Sequence, residues 1–153
     1  MATKTDITLR RYSRRDLDTL AKIDGECFGP NAWAADDLLS LLRIPEIFCG
    51  VVEIDKQVVA YAIYAIDKDC LWLTRIAVRP TMQRLGIGSA IVDRIKSKLG
   101  NQKRTQIGVT VPEDNVAMQL FLREQGFVAT STIRTLIKGR DAYMFLYDIC
   151  PEW

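Results

Sequence analysis

One stretch, residues 71–100 (LWLTRIAVRPTMQRLGIGSAIVDRIKSKLG), constrains this chain more than any other. It reads as a strand over 71–78, a polar loop, a glycine-spaced turn Gln83-Arg84-Leu85-Gly86-Ile87-Gly88, and a helix over 88–99. Ile91, Ile95 and Leu99 recur at helical spacing, with lysines and arginines opposite. Two glycines two apart at a helix start let backbone N–H groups converge on an anion. The helix adds its unpaired first-turn N–H groups and the positive end of its dipole. Arg84 adds a cation at the same place. The stretch is a phosphate cradle built as strand, loop and helix.

With 153 residues the chain fits one domain, expected to span 1–153. A net charge of +2 is too small to argue for nucleic acid or a membrane surface as partner. No apolar run approaches the roughly 18 residues of a membrane span. MATKTDITLRRY has no apolar signal core, so no export is expected. Cys27, Cys49, Cys70 and Cys150 are scattered, without a CxxC, and predict a reduced cytoplasmic protein with no metal site. The chain has no histidine, which excludes imidazole as base, triad member or zinc ligand.

Along the chain, 6–12 alternates Ile7 and Leu9 against Thr8 and Arg10 and predicts a half-buried first strand. Ser13, with Asp16 three residues on, resembles a capping box. It opens a helix with Leu17, Leu20, Ile23 and Cys27 on one face, which Gly29-Pro30-Asn31 breaks. Residues 33–44 predict a second helix, apolar at Trp33, Leu38, Leu41 and Leu42, ended by Pro45. Runs at 47–54, 58–66 and 71–78, joined by short polar turns, predict an antiparallel meander. After the cradle helix, stopped by Gly100-Asn101, 106–111 predicts a fifth strand parallel to the fourth. Asn115 caps a short helix carrying Ala117, Leu120, Phe121 and Gln125, ended by Gly126. Residues 127–137 and 142–149 form a last hairpin about Lys138-Gly139-Arg140-Asp141. The expected fold is one α/β domain, a mixed, mostly antiparallel sheet of about seven strands with four helices.

The glycine pair has a plainer reading, close helix–sheet packing. Two nucleotide sites are excluded on the spot. No Gly-Lys-Ser/Thr occurs, as a P-loop requires, and the third glycine slot of a dinucleotide fingerprint is Ile91.

IAVRPTMQRLGIGSAIVDRI resembles the signature of the GNAT acetyltransferase superfamily, whose pyrophosphate loop reads Q/R-x-x-G-x-G/A. Gln83, Gly86 and Gly88 fill that pattern. The strand ending Ile76-Ala77-Val78, the proline two residues later, DNVAMQLFLREQGF and the element order over the whole chain are similar too. The resemblance implies acetyl-CoA as co-substrate. Main-chain groups at Ile76, Ala77 and Val78 would face its pantetheine arm, and the loop from Gln83 through Arg84, Leu85, Gly86, Ile87 and Gly88 to Ser89 would wrap its pyrophosphate. It implies a fourth and fifth strand that splay apart, and a second role for Asn115 beside the arm. An amine would attack the thioester directly.

The chain departs from the family at three positions. A base on the fifth strand is replaced by Thr110, a second base position by Trp72, and the general-acid Tyr by Leu122. Strand parity sets Trp72, Thr74 and Ile76 on one face, so Thr74 and Thr110 become the candidates for orienting a water, against the plainer reading of two β-formers. Asp67, Asp69, Glu113 and Asp114 are candidate acids on loops. Arg75, opposite Trp72 by the same parity, is expected to pair with a carboxylate, and Cys70 to be an incidental thiol. An α-amine with a pKa near 8 is about a tenth neutral at pH 7 and a lysine far below about 1%, so a site without a strong base suits an N-terminal amine. Cys27-Phe28-Gly29-Pro30-Asn31-Ala32-Trp33 and GRDAYMFL resemble segments of the ribosomal-protein alanine acetyltransferases, although Thr135-Leu136-Ile137 replaces tyrosines of that group. The expectation is an N-acetyltransferase acting on a peptide N-terminus or a small amine, as monomer or homodimer. A catalytically degenerate acyl-CoA-binding sensor or scaffold is the alternative.

Overall fold

The alternating segments become seven strands: β1 (Ile7–Arg11), β2 (Ile47–Ile54), β3 (Gln57–Ile66), β4 (Cys70–Val78), β5 (Gln106–Pro112), β6 (Val128–Ile137) and β7 (Arg140–Asp148). Four helices join them: α1 (Leu17–Phe28), α2 (Ala35–Leu42), α3 (Ile87–Lys96) and α4 (Val116–Glu124). The computed structural model describes residues 7–100, 104–137 and 140–149, the side chains of 135–137 and 140 excepted. Asp6, Asn101, Lys138, Gly139 and Cys150 lie outside the described residues.

One sheet runs β1-β2-β3-β4-β5-β7-β6. The strands β1 to β4 form an antiparallel meander, β5 is parallel to β4, and β7 inserts between β5 and β6. That insertion was not legible in the sequence, because a hairpin fixes which strands are neighbours but not which of the two meets the sheet.

The helices cover both faces. On one, α3 and α4 bury Ile87, Ile91, Val92, Ile95 and Leu122 against Val52, Ala62, Leu71, Leu73 and Val109. On the other, α1 and α2 bury Leu17, Leu20, Ile23 and Leu38 against Val51, Tyr61, Ile63 and Ala77. Leu20 and Ile23 are wholly buried, and each such side chain contributes about 1.5–3 kcal/mol.

Helix ends follow local chemistry. Ser13 N–H donates to Asp16 Oδ2 at 2.8 Å, and a single 3₁₀ turn precedes α1. The second and third helices are shorter than their apolar patterns. Beyond Lys96 the chain tightens into three-residue turns, Lys98 N to Ile95 O and Leu99 N to Lys96 O, both 3.0 Å. In α4 the packed side is Met118, Phe121 and Leu122, while Leu120 is 57% exposed. Among the described residues no helix is long and apolar enough to cross a membrane.

Candidate active site

The two parallel strands separate early. Only Cys70, Leu71 and Trp72 of β4 pair with β5, opposite Gln106, Ile107 and Gly108. Immediately beyond, β4 carries a bulge: Leu73 pairs with Tyr64 and Arg75 with Ile63, which leaves Thr74 in neither ladder. The extra residue shifts the alternation of everything after it. The parity expectation is therefore corrected: Trp72 shares its face with Arg75 and Ala77, and Ile76 falls with Leu71 and Leu73. Thr74 stands at the step between them.

The gap is a cavity of about 580 Å³. Thr74, Ile76, Thr110 and Asn115, which the sequence singled out separately, all line it. Thr74 and Thr110 are exposed there. Asn115 caps α4, its Oδ1 accepting from Met118 N–H at 3.2 Å, which satisfies the plainer reading, and the residue also lines the slot. Leu122, at the family's acid position, is wholly buried, and Trp72 lies over Gly108, where a Cβ would come within 2.4 Å of the indole.

Of the loop acids, Asp114 lines the slot. Asp67 accepts from Lys68 N–H within the β3–β4 turn, and Asp69 shares that turn at the far end of β4 from Val78. Asp141, which no sequence signal marked, reaches the slot because Pro112 pairs with Ala142.

Main-chain direction follows from one bond. Arg79 N–H donates to Val59 O at 2.9 Å. Strand alternation then turns the backbone groups of Ala77 toward β3 and those of Ile76 and Val78 toward the open edge. Ala77 thus sits in the ladder to Tyr61. The Val78 carbonyl accepts from Gln83 Nε2 at 3.1 Å and from the Cys27 thiol at 3.2 Å, so Gln83 closes the loop onto the strand.

At the cradle, Arg84 and Gly86 adopt φ of 66° and 80°. Gly86 is required by that angle, since an added Cβ would meet nothing within 4 Å. Gly88 packs closely under α4: an added Cβ would lie 3.3 Å from the Phe121 ring, a tight contact that the ring would have to ease. Gly86 is the N-cap and brings no side chain to the first turn. The N–H groups of Ile87, Gly88 and Ser89 therefore have no intrahelical acceptor. Ser89 turns its hydroxyl to Gln125 Nε2 at 3.0 Å and presents only its backbone. Leu85 is 56% exposed beside the turn, and Ile87 is buried in the core. The cradle is open and donor-rich, which fits a diphosphate.

The wall of the slot opposite β5 is held by Arg75. Its Nε and Nη2 each lie 2.8 Å from the carboxylate of Asp24, which is wholly buried. This is the ion pair the sequence predicted. The guanidinium stacks 3.7 Å from the Phe28 ring centre and 4.1 Å from that of Trp33. Asp24 also accepts from Trp33 N–H at 2.6 Å and from the Tyr61 hydroxyl. Burial, with Asp24 beside it, pushes the Tyr61 hydroxyl well above its ordinary pKa. Burial likewise raises the Cys70 thiol, which agrees with an inert cysteine.

The acetyltransferase (GNAT) family profile matches residues 17–127. This chain belongs to that family. Comparison with curated protein sequences gave no significant match. Among solved structures the GNAT chain is similar to the ribosomal-protein-S18-alanine N-acetyltransferase of Escherichia coli, with TM-score 0.82 and 20% identity over 96% of each chain. It is similar to Ard1 of Thermoplasma volcanium, with TM-score 0.83 and 21% identity over 95% of this chain and 99% of that one. It also matches Arabidopsis thaliana NAA60 in complex with acetyl-CoA, with TM-score 0.77 and 17% identity over 94% and 98%. At these identities the likeness is one of fold.

Proposed function

We propose that this GNAT domain transfers an acetyl group from acetyl-CoA to a primary amine, preferentially the α-amine of a peptide, by direct attack inside the β4–β5 slot. The observation that carries the reading is the pairing of two features by the end of β4: the strand leaves the splayed slot at Ile76 and, through the Val78 carbonyl held by Gln83, leads into the loop that opens the uncapped N-terminus of α3.

In this reading the N–H groups from Arg84 to Ser89 hold the pyrophosphate, with Arg84 as counter-charge. The outward backbone of Ile76 and Val78 lies along the pantetheine arm, and the amide of Asn115 steadies it. Bound there, acetyl-CoA would supply a thioester carbonyl to an entering amine, the C–N bond forming as the C–S bond breaks and CoA leaves as its thiol. The bulge at Thr74 frees main-chain groups from both ladders, and an N–H so freed can stabilise developing oxyanion charge. Thr74 and Thr110 face one cavity, and their hydroxyls can hold a water that accepts the amine proton. Neither hydroxyl is a strong base. That favours an acceptor already partly neutral at pH 7, an α-amine or a low-pKa small amine, over lysine.

A second reading has a specific observation behind it. With Leu122 in the core and Trp72 over Gly108, the proton-transfer positions of the family carry no ionisable group, as in an acyl-CoA sensor or scaffold. Thiol release from acetyl-CoA over a panel of peptides and amines separates the two. Turnover with α-amines above lysine side chains supports the enzyme reading; tight CoA binding with no turnover on any acceptor overturns it.

A further inference from the structure

A second concavity, of about 1050 Å³, lies outside the slot and the cradle. It runs beside β1, past the α2–β2 connection, and along the C-terminal half of α3. Six cationic side chains line it and no acidic one does, in a chain whose 19 acidic residues nearly balance its 21 basic ones. Two of the six are engaged: Arg10 pairs with Asp16 and Glu53, and Arg104 Nε donates to the Asp67 carbonyl. The other four, Arg11, Arg43, Arg94 and Lys98, are exposed and form no ion pair among the described residues.

Cations near a helix C-terminus offset its dipole, which accounts for Arg94, Lys98 and Arg43 singly. It does not account for Arg11, which comes from a strand and faces the same trough. Arg11 and Arg94 line the same trough as Tyr64. The floor between these charges is apolar. Leu9, Phe48 and Ile66 are only partly covered, and Ile44 on the rim is 44% exposed.

We propose that this trough docks an acidic, extended peptide segment of a partner protein. Charge complementarity selects a polyanion, and the apolar floor selects one with alternate hydrophobic side chains. Among the described strands β1 is at the edge of the sheet, and its outward backbone can pair with such a segment. Alternate side chains would then meet Leu9 and Arg11, which point to the same face. A single-stranded nucleic acid fits less well, because Phe48 and Tyr64 stack on each other at 5.8 Å and Tyr64 is buried, leaving little aromatic face for a base.

The test uses the full chain and a short fluorescein-labelled peptide alternating leucine with aspartate, followed by anisotropy at low and physiological salt. Binding is expected to weaken with salt and to fall roughly tenfold in an Arg94→Glu, Lys98→Glu double variant. Arg11→Glu, on the other wall, is expected to weaken it too, and the neutral pair Arg94→Gln, Lys98→Gln to lie between. Thermal melting confirms that each variant folds. The proposal is overturned by absence of binding, by binding indifferent to the charge reversals, by equal binding of a serine–aspartate peptide, or by tighter binding of oligothymidylate. CoA affinity is measured alongside. Its loss in the wild type would count against the acetyltransferase reading alone, since the peptide is read without acetyl-CoA.

Discussion

Arg75 ties three parts of the chain together through one guanidinium. It holds a buried carboxylate 51 positions away and lies between two aromatic rings of the α1–α2 connection. Removing it leaves the buried Asp24 carboxyl with only neutral donors, Trp33 N–H and the Tyr61 hydroxyl. Arg75→Ala is expected to cost about 3–5 kcal/mol in urea unfolding, and a loss below about 1 kcal/mol, the range of an exposed pair, would show that Asp24 has another counter-charge. That a cation inside a strand needs an anion was legible; which anion was not, because Asp24 lies on a helix far away in sequence. Asp16 shows the same physics nearer the surface. The Arg10 guanidinium, then the Ser13 N–H, hold its carboxyl below the usual range, against the effect of burial. A carboxyl lowered on folding contributes stability above its unfolded pKa of about 3.9 and loses it as pH falls through the folded value. Asp16→Asn is therefore expected to lower the melting temperature at neutral pH and to converge on the wild type in acid. A constant gap down to low pH would contradict this.

The strand–turn–helix at 71–100 was readable as an element because its parts obey local rules: alternation, a glycine at positive φ, and a 3.6-residue apolar repeat. The bulge at Thr74 obeys no such rule. It depends on pairing with β3, so parity counted along the strand went wrong from that residue onward. Gly108 was likewise silent in the sequence, yet only a glycine lets the Trp72 indole lie across the last paired rung before the strands part. Gly108→Ala places a Cβ against rigid ring atoms. It is expected to destabilise by about 1–3 kcal/mol and to shift the Trp72 fluorescence. An unchanged melting temperature would mean the indole moves aside freely.

Over the whole molecule, the element order and the parallel pair followed from connection lengths, and the family from the cradle motif. The site itself is a product of topology. Thr74 and Asn115 are 41 positions apart in the chain, and they meet because β4 and β5 are neighbours that cease to pair. Asp141 joins them through β7, whose insertion next to β5 no local pattern encodes. The proposed acetyl transfer depends on the cradle of α3 receiving a CoA pyrophosphate. Titration calorimetry of CoA against the wild type and Gly86→Glu tests that claim most directly. A glutamate there meets no atom within 4 Å of its Cβ. Its positive φ costs about 1 kcal/mol or somewhat more, so the domain should stay folded by circular dichroism. The predicted result is binding by the wild type and none by the folded variant. Equal affinity in the two, or no binding by the wild type, would contradict the placement of the pyrophosphate.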